Sequence, residues 1–310
     1  MREEPQEHRE GTAPPIEFCY RHPSVQTGVH CTRCGRPICP DCMTPAPVGY
    51  QCLECVQLAR REFRRGPGRR LRSAGITTTK VLLAAILAGF LLEIVAGGPN
   101  ALQDPSGRTL IRLGALQPFL IAHGQYWRLL TAIFLHAGLL HIAFNAYALW
   151  IFGTAMEDAL GRSRFLLVLF VTGFLASATS YAFGPVEAVG VGASGAIFGV
   201  FGAFIAYNYR RRHLALAAAN LRWAMMMILL NAVLAIGFAG IDWRAHVGGL
   251  ASGFAAGYAA EGFGPPRQRA LVRVAGFAAL VAIGVLLVVW RTGQVQALPE
   301  FERGVAFFSS

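Results

Sequence analysis

The chain has 310 residues, of which 54% are hydrophobic and only 15% are charged, and its formal net charge is +11. Soluble domains carry roughly a quarter charged residues, so this composition excludes a disordered chain and an ordinary soluble enzyme. It indicates that most of the molecule lies in a lipid bilayer. A basic excess favours nucleic-acid binding only when the charges form a patch. Here sixteen of the 28 basic residues lie in segments that we predict to face the cytosol, so the excess reflects membrane orientation and we expect no nucleic-acid partner.

The first 17 residues are polar and acidic, and they contain no apolar run of the kind that a cleaved secretory signal needs. We therefore expect residues 1–17 to be a disordered tail that stays in the cytosol. All seven cysteines of the chain follow within a short segment, from Cys19 to Cys55. An odd number of cysteines at such density argues against paired disulfides and favours metal ligation.

The cysteine-rich segment contains eight candidate metal ligands in four pairs, each pair with two residues between its members. The pairs are Cys19 and His22, Cys31 and Cys34, Cys39 and Cys42, and Cys52 and Cys55. Eight thiolate or imidazole ligands suit two tetrahedral zinc sites that are filled by protein and are therefore structural. We expect a cytosolic zinc-binding module over residues 18–57, with two Zn²⁺ ions and a cytosolic protein as its partner.

The spacing of the pairs resembles B-box and RING-like cross-braced zinc fingers. That resemblance implies that the first and third pairs hold one ion and that the second and fourth pairs hold the other. Consecutive pairs could also bind in sequence, and His30 could take the place of His22. A finger of this kind also allows a membrane-bound ubiquitin-type ligase, although that function would leave the polar residues described below unexplained.

A basic linker over residues 58–78 precedes seven apolar segments that are long enough to cross ~30 Å of hydrocarbon. The segments cover about 80–97, 137–155, 165–183, 191–209, 223–239, 243–260 and 271–290. The fourth and sixth are rich in Gly and Ala, which lets helix backbones approach closely, so we expect them to be buried in a bundle. The prediction is an all-α polytopic membrane protein with a membrane domain over 79–291 and a C-terminal tail over 292–310.

The basic residues predict how the chain crosses the membrane. Short cytosolic loops accumulate Lys and Arg, and sixteen of the 28 basic residues lie in segments on the same side as the N-terminus. We therefore expect a multi-pass protein of the cell membrane with a cytoplasmic N-terminus and an extracytoplasmic C-terminus. Lys80 is the only lysine of the sequence, and this preference for arginine favours a high-GC bacterium.

Among the polar residues inside the apolar segments, four need explaining, because such groups are costly and usually face a bundle interior or a water-filled cavity. They are His141 and Asn145 in the second segment, Ser194 in the fourth and His246 in the sixth. Each alone is more often a helix-packing residue, but the predicted topology puts all four within two turns of the outer membrane face. A serine, an imidazole that takes its proton and donors that stabilise an oxyanion form a hydrolytic site.

Several motifs around these residues resemble the rhomboid family of intramembrane serine proteases over about residues 76–290. The motifs are Gly192-Ala193-Ser194-Gly195 with Phe198 and Gly199, Ala245-His246-Val247-Gly248-Gly249 with Gly253, the series His136, His141 and Asn145, the pair Trp127-Arg128, and Glu157 with Gly161. The resemblance implies a six-helix core with one additional C-terminal transmembrane helix. It also implies a protease that acts on transmembrane proteins within the lipid bilayer.

The resemblance assigns a role to each matching residue. Ser194 would be the nucleophile and His246 the general base of a dyad that needs no cofactor. Asn145, His141 and the backbone N–H of Ser194 would form the oxyanion hole. The remaining residues would support this site: His136, Phe198 stacked on the catalytic histidine, Gly192, Gly195, and Trp127 with Arg128 in the first loop.

Two alternatives concern the same residues. Asp242 lies four residues before His246 and could complete a triad, but an aspartate at a helix start is far more often an N-cap. The polar residues could also line the path of a transporter, although the sequence shows no inverted repeat or chain of intramembrane carboxylates. We expect the substrate to be a single-span membrane protein that is cut near the outer membrane face.

Overall fold

The computed structural model describes residues 17–46, 49–58, 75–237, 240–263 and 265–309. The chain divides into two compact units, Met1–Ile76 and Thr77–Ser310. Residues 1–16 of the predicted tail and residues 59–74 of the predicted basic linker lie outside the described residues.

The N-terminal unit contains a short antiparallel hairpin and very little apolar core. Strand β1 (Met43–Pro45) pairs with β2 (Tyr50–Cys52), with Met43 opposite Cys52. The buried cluster in the described part of this unit consists of six of the seven cysteines, all except the exposed Cys34, together with the fully buried Ile38. Because so small a core contributes little to folding stability, the unit depends on additional cross-links or metal ions.

The membrane unit is helical, and seven long helical segments cross its described part. They are α1 (Thr78–Gly97), the segment formed by α5 (Leu139–Ala148), a π-helical turn (Leu149–Gly153) and α6 (Thr154–Leu160), then α7 (Arg162–Phe183), α8 (Ser194–Tyr209), α9 (Ala215–Gly237), α10 (Trp243–Glu261) and α11 (Pro266–Gln296). Among the described residues, five of them are long and apolar enough to cross a membrane by length and composition. The other two are α8, with 16 residues, and α10. The predicted all-α polytopic fold is confirmed.

Helices α8 and α10 lie in the centre of the unit and touch through their backbones. A Cβ atom on Gly253 would lie 2.0 Å from the carbonyl oxygen of Gly199, and one on Gly249 would lie 2.1 Å from that of Gly195. Only glycine permits so close an approach. The expectation that these two Gly-rich helices are buried is therefore correct, and the same contact brings the start of one helix close to the start of the other.

Four short helices complete the unit, three in the loop before α5 and one at the C-terminus. They are α2 (Gly107–Leu113), α3 (Pro118–Ala122), α4 (Arg128–Thr131) and α12 (Phe301–Ser309). The sequence predicts a tail over 292–310, but in the structure α11 continues to Gln296 and α12 follows it. The apolar residues Phe301, Val305 and Phe308 recur at helical spacing, and nine residues are too few for this pattern to stand out in the sequence.

Glu157, one of the motif residues, holds the N-terminal end of α1. Its Oε1 accepts the N–H of Thr78 at 2.7 Å, and its Oε2 accepts both the N–H and the hydroxyl of Thr79 at 2.8 Å. These donors have no partner within their own helix, and a carboxylate at this end is also favoured by the helix dipole. Glu157 thus joins the second transmembrane segment to the first.

Candidate active site

Ser194 is the first residue of α8, at the end of a loop that other segments hold in place. In this loop the backbone groups of Gly190 exchange two hydrogen bonds with those of Leu116, both 2.9 Å long, and the N–H of Gly192 donates to the carbonyl of Ala132 at 2.9 Å. The N–H groups of the first turn of a helix have no acceptor within that helix. The half-buried Ser194 therefore combines a hydroxyl with a free backbone donor.

Gly192 has the Ser194 hydroxyl on one side and the ring of His141 on the other. A Cβ atom at Gly192 would lie 2.8 Å from Nε2 of His141 and 3.7 Å from Oγ of Ser194. The φ angle of Gly192 is +122°, a conformation that residues with a side chain rarely adopt. Glycine is thus needed here both for its backbone angle and for the space that the two polar groups occupy.

His141 and Asn145 lie on the same face of α5, as their spacing predicts. The N–H of Ala137 donates to Nδ1 of His141 at 3.2 Å, so a neutral ring carries its proton on Nε2, the atom that faces Gly192. The buried amide of Asn145 donates one hydrogen to the His141 carbonyl at 2.9 Å and keeps a second. His141 therefore offers a hydrogen-bond donor close to Gly192 and Ser194, and Asn145 offers a second donor on the same face of α5.

His246 lies in the first turns of α10, stacked on a ring from α8. The rings of His246 and Phe198 are 4.1 Å apart and inclined by only 11°. The residues next to the candidate pair also touch, since a Cβ atom on Gly195 would lie 3.5 Å from that of Ala245. The structure thus brings Ser194 and His246 to the facing starts of two helices in contact, and both remain half-buried.

Asp242 is the N-cap of α10, as predicted. Its Oδ1 accepts the N–H groups of Arg244 and Ala245 at 3.1 and 3.2 Å, and its Oδ2 accepts the hydroxyl of Ser180. Both carboxylate oxygens are therefore engaged in bonds that fix the start of the helix carrying His246.

His136 lies deeper in the unit and leads to a residue that the sequence analysis missed. Its ring is fully buried 5.3 Å from the ring of His141, and neither ring nitrogen has a hydrogen-bond partner among the described residues. Its backbone N–H donates to Oε1 of the fully buried Glu93 at 2.7 Å. A carboxylate within the first apolar segment is the signal that could have identified Glu93.

Trp127 and Arg128 hold the first loop together. The guanidinium of Arg128 donates to the carbonyls of Ile111 and Ala115 at 2.6 and 3.0 Å and to the side chain of Gln125 at 2.7 Å. The same group lies 4.7 Å from the centre of the Trp127 ring. None of these contacts involves Ser194. They join residues of the first loop to one another, as expected for a structural role.

A small cavity opens beside Ser194 between α7, α8 and α10. Its volume is about 40 Å³, and its polar lining comes from Ser177, Ser180, Ser194 and Asp242. A water molecule needs on the order of 10–15 Å³ of such space and two to four polar partners. The cavity therefore has room and hydrogen-bonding groups for water next to the Ser194 hydroxyl.

The eight candidate zinc ligands of the N-terminal unit form two groups. Cys19, His22, Cys39 and Cys42 make one and Cys31, Cys34, Cys52 and Cys55 the other, and the ligand atoms of each group lie within 4.8 Å of one another. This is the cross-braced pairing. The side chain of His30 instead meets the carboxylate of Glu17.

The spacing of the ligand atoms fits a tetrahedral zinc ion. Zn–S bonds of about 2.3 Å put two sulfurs about 3.8 Å apart, and a sulfur and an imidazole nitrogen about 3.5 Å apart. The Sγ atoms of Cys34 and Cys52 are 3.8 Å apart, and Nδ1 of His22 lies 3.5 Å from Sγ of Cys42. Both groups could therefore hold zinc.

Each group contains at least one thiol whose pKa is lowered. Burial raises the pKa of Cys19, but hydrogen bonds from nearby donors, first that of the Cys39 backbone, outweigh it and bring the pKa to about 6. Burial acts on Cys31 in the same way, and the backbone N–H of Cys52 leads the groups that lower its pKa to about 6. Because zinc binds the thiolate form, each group has a ligand that is already ionised at neutral pH.

Comparison with known proteins agrees with this geometry. The Rhomboid domain family model matches residues 123–261. Rhomboid protease GluP of Bacillus subtilis (strain 168) is 39% identical over 203 residues, which are 64% of this chain and 37% of GluP. Rhomboid-like protease 2 of Toxoplasma gondii is 35% identical over 193 residues, which are 62% of this chain and 66% of that protein.

The Bacillus subtilis (strain 168) protein named "Putative rhomboid protease YdcA" is 37% identical over 140 residues, which are 43% of this chain and 67% of YdcA. The chain thus spans between about a third and two thirds of the length of these relatives, and the residues that the family model matches include Ser194 and His246. On the family model and on this coverage of YdcA, the chain belongs to the rhomboid family.

Proposed function

We propose that this protein is an intramembrane serine endopeptidase that cleaves the transmembrane segments of single-span membrane proteins. Ser194 is the nucleophile and His246 the general base. The observation that carries the proposal is the backbone contact between α8 and α10, because it brings the starts of the two helices, and with them these two residues, together. The protease domain covers residues 79–291.

The first half of the reaction forms an acyl-enzyme. His246 takes the proton of the Ser194 hydroxyl while Oγ attacks the carbonyl carbon of the scissile peptide bond. The negative charge on the carbonyl oxygen is stabilised by the N–H of Ser194, by Nε2–H of His141 and by the free amide hydrogen of Asn145. When the tetrahedral intermediate collapses, the C–N bond breaks and His246 gives its proton to the leaving amine.

The second half consumes water. His246 takes a proton from a water molecule that attacks the ester carbonyl, and the Ser194 oxygen leaves with the proton that His246 returns. The cavity lined by Ser177, Ser180 and Asp242 supports this step, because it offers polar space for water beside Ser194 in a unit that otherwise consists of packed apolar helices.

The ring of Phe198 holds the imidazole of His246 in one plane through both halves of the reaction, as their parallel stacking suggests. Gly192 and Gly195 leave room for the polar groups and for the adjacent helix. His136, Trp127 and Arg128 act by supporting the surrounding backbone.

The orientation of the chain in the cell membrane decides where substrates are cut. With a cytoplasmic N-terminus, α8 and α10 begin at the outer face, so Ser194 meets substrate helices close to that face. The bias of arginine toward the N-terminal side supports this orientation, and the preference for arginine over lysine supports a bacterial membrane. A substrate segment must also unwind locally, which favours helices weakened by Gly, Pro or small residues.

Labelling with a fluorophosphonate probe tests the assignment of Ser194. We expect the detergent-solubilised wild-type protein to be labelled and to cleave a transmembrane reporter, and both activities to be lost in Ser194→Ala. Ser252→Ala is the matched control, since this buried serine only donates to the Gly249 carbonyl of its own helix. Labelling that survives Ser194→Ala, or a wild type that is neither labelled nor active, contradicts the proposal.

Two reporters test the position of the cut. They carry the same helix-weakening sequence near the outer end or near the cytosolic end of one transmembrane segment. We expect cleavage of the first reporter by wild-type protein in vesicles. Efficient cleavage of the second alone would contradict the proposed orientation.

The N-terminal module over residues 18–57 is proposed to hold two structural Zn²⁺ ions in the cross-braced pairing, which the two groups of ligand atoms support. Its place in the chain supports a cytosolic docking function for a protein partner. Catalysis itself is proposed to need no cofactor, because serine, histidine and hydrogen-bond donors suffice for the reaction.

A further inference from the structure

The C-terminal helix α12 packs on the short helix α3 of the first loop. The rings of Phe119 and Phe308 are stacked 6.0 Å apart, and the ring of Phe301 lies 6.5 Å from that of Phe119 at a tilt of 42°. The absence of a side chain at Gly304 leaves room for the ring of Phe119, because a Cβ atom on Gly304 would lie 2.7 Å from two of the ring carbons. Together with the buried Val305, these contacts place α12 and α3 in the same hydrophobic cluster.

The end of α11 makes polar bonds to the same region. The side chain of Gln296 donates to the carbonyl of Ala122, the last residue of α3, at 2.8 Å. Arg291 donates to the carbonyl of Gly184 at 2.9 Å, where the loop that leads to Ser194 begins. The C-terminal segment therefore touches both α3 and the loop before α8.

Helix α3 in turn joins this loop directly. The fully buried side chain of Gln117 donates to the carbonyl of Val186 at 3.1 Å, and Leu116 exchanges its two backbone hydrogen bonds with Gly190. Gly190 lies four residues before Ser194. A continuous series of contacts thus runs from Phe308 through Phe119 and Leu116 to the segment that carries the Ser194 backbone N–H.

We propose that α12 and the end of α11 form a C-terminal brace (residues 291–309) that positions the loop before Ser194, with Phe308 as a positioning residue for the proposed reaction. The inference rests on the proposed function for its consequence in catalysis. The brace and α3 lie outside the residues that the Rhomboid domain model matches, so family membership does not assign them this role.

Hydrogen exchange of the full-length protein tests the brace without reference to activity. Phe308→Ala removes the stacked ring, and the control is Arg303→Ala, which truncates an exposed side chain of the same helix. We expect the amides of residues 184–194 to exchange about tenfold faster in Phe308→Ala, because local opening becomes easier, and to be unchanged in Arg303→Ala. Deletion of residues 298–310 should have the same effect, and Phe308→Leu should restore part of the protection.

Kinetics on a transmembrane reporter test the consequence. A displaced loop misplaces the oxyanion donor and not the substrate-binding surface, so we expect kcat to fall about tenfold in Phe308→Ala with KM within about twofold. Unchanged exchange over 184–194 in both Phe308→Ala and the deletion would overturn the brace. So would exchange that rises equally throughout the membrane unit, which is the mark of a general loss of stability.

The two proposals fail in distinguishable ways. If the wild type is not labelled by the fluorophosphonate, the proposed function is wrong, but the exchange experiment still decides whether the brace holds the loop. If the wild type is active and the Phe308 variant exchanges and cleaves as the wild type does, only the brace is wrong.

Discussion

The two units of this chain differ in the residues that form their cores. In the described part of the N-terminal unit the buried cluster consists of cysteines and Ile38. The regular secondary structure there includes two strands of only three residues each. In the membrane unit the central helices touch backbone to backbone at Gly199 and Gly253, inside a large apolar cluster. The core of the first unit consists of groups that could hold metal ions, whereas the helix contact of the second relies on the absence of side chains.

Removal of metal should produce the largest effect on stability, and it should affect the N-terminal unit but not the membrane unit. Structural zinc contributes an apparent binding free energy on the order of 10 kcal/mol per ion, which far exceeds what the small core of the first unit can supply. We expect a strong chelator to release about two zinc ions per chain and to make residues 17–58 sensitive to protease. The thermal unfolding temperature of the membrane unit should not change.

Added zinc is the control for that experiment, since it should restore the protease resistance of the N-terminal unit. Metal analysis of the full chain that finds one ion or none would refute the two-site arrangement. Resistance of residues 17–58 that survives complete removal of metal would show that the unit does not depend on it.

The second prediction concerns the glycine contact of the membrane unit. Gly253→Ala adds one methyl group 2.0 Å from the Gly199 carbonyl oxygen, so α8 and α10 must separate. We expect a loss of about 3 kcal/mol in the free energy of unfolding and loss of reporter cleavage. Gly293→Ala is the matched control, because a Cβ atom there meets nothing within 4 Å, and a helical Gly→Ala change stabilises by about 1 kcal/mol. Equal effects of the two changes would contradict the role of the contact.

The comparison also explains what the sequence could predict. Structural zinc sites are mostly built from Cys and His at restricted spacings, so the eight candidate ligands could be named from the sequence, whereas the contact of His30 with Glu17 depends on the fold. Seven helices could be predicted because hydrocarbon requires long apolar segments. Residues that act by contacts distant in sequence were less visible: Glu93 meets His136 across 43 positions, and Phe119 meets Phe308 through a helix too short to show its period.

The third prediction lies at the junction of α1 and α6. Glu157→Ala leaves the N–H groups of Thr78 and Thr79 without their acceptor, and we expect the free energy of unfolding to fall by about 2 kcal/mol. Glu157→Gln keeps one acceptor oxygen and should lose about half as much. Thermal unfolding of the two variants in the same detergent measures the difference. If Glu157→Ala is as stable as the wild type, the carboxylate does not hold the start of α1.

The smallest effect on stability and zinc content is expected for His30→Ala. This variant tests which histidine belongs to the candidate zinc ligands. The side chains of His30 and Glu17 are both exposed and are in contact at the surface, and exposed pairs of this kind contribute about 0–1 kcal/mol. His30→Ala should therefore retain both zinc ions, whereas His22→Ala should lose the ion that Cys19, Cys39 and Cys42 share. The zinc content of the two variants, measured on the same day against the wild type, gives the answer directly. A lost ion in His30→Ala with both ions kept in His22→Ala would exchange the roles of the two histidines and contradict the grouping of His22 with Cys19, Cys39 and Cys42.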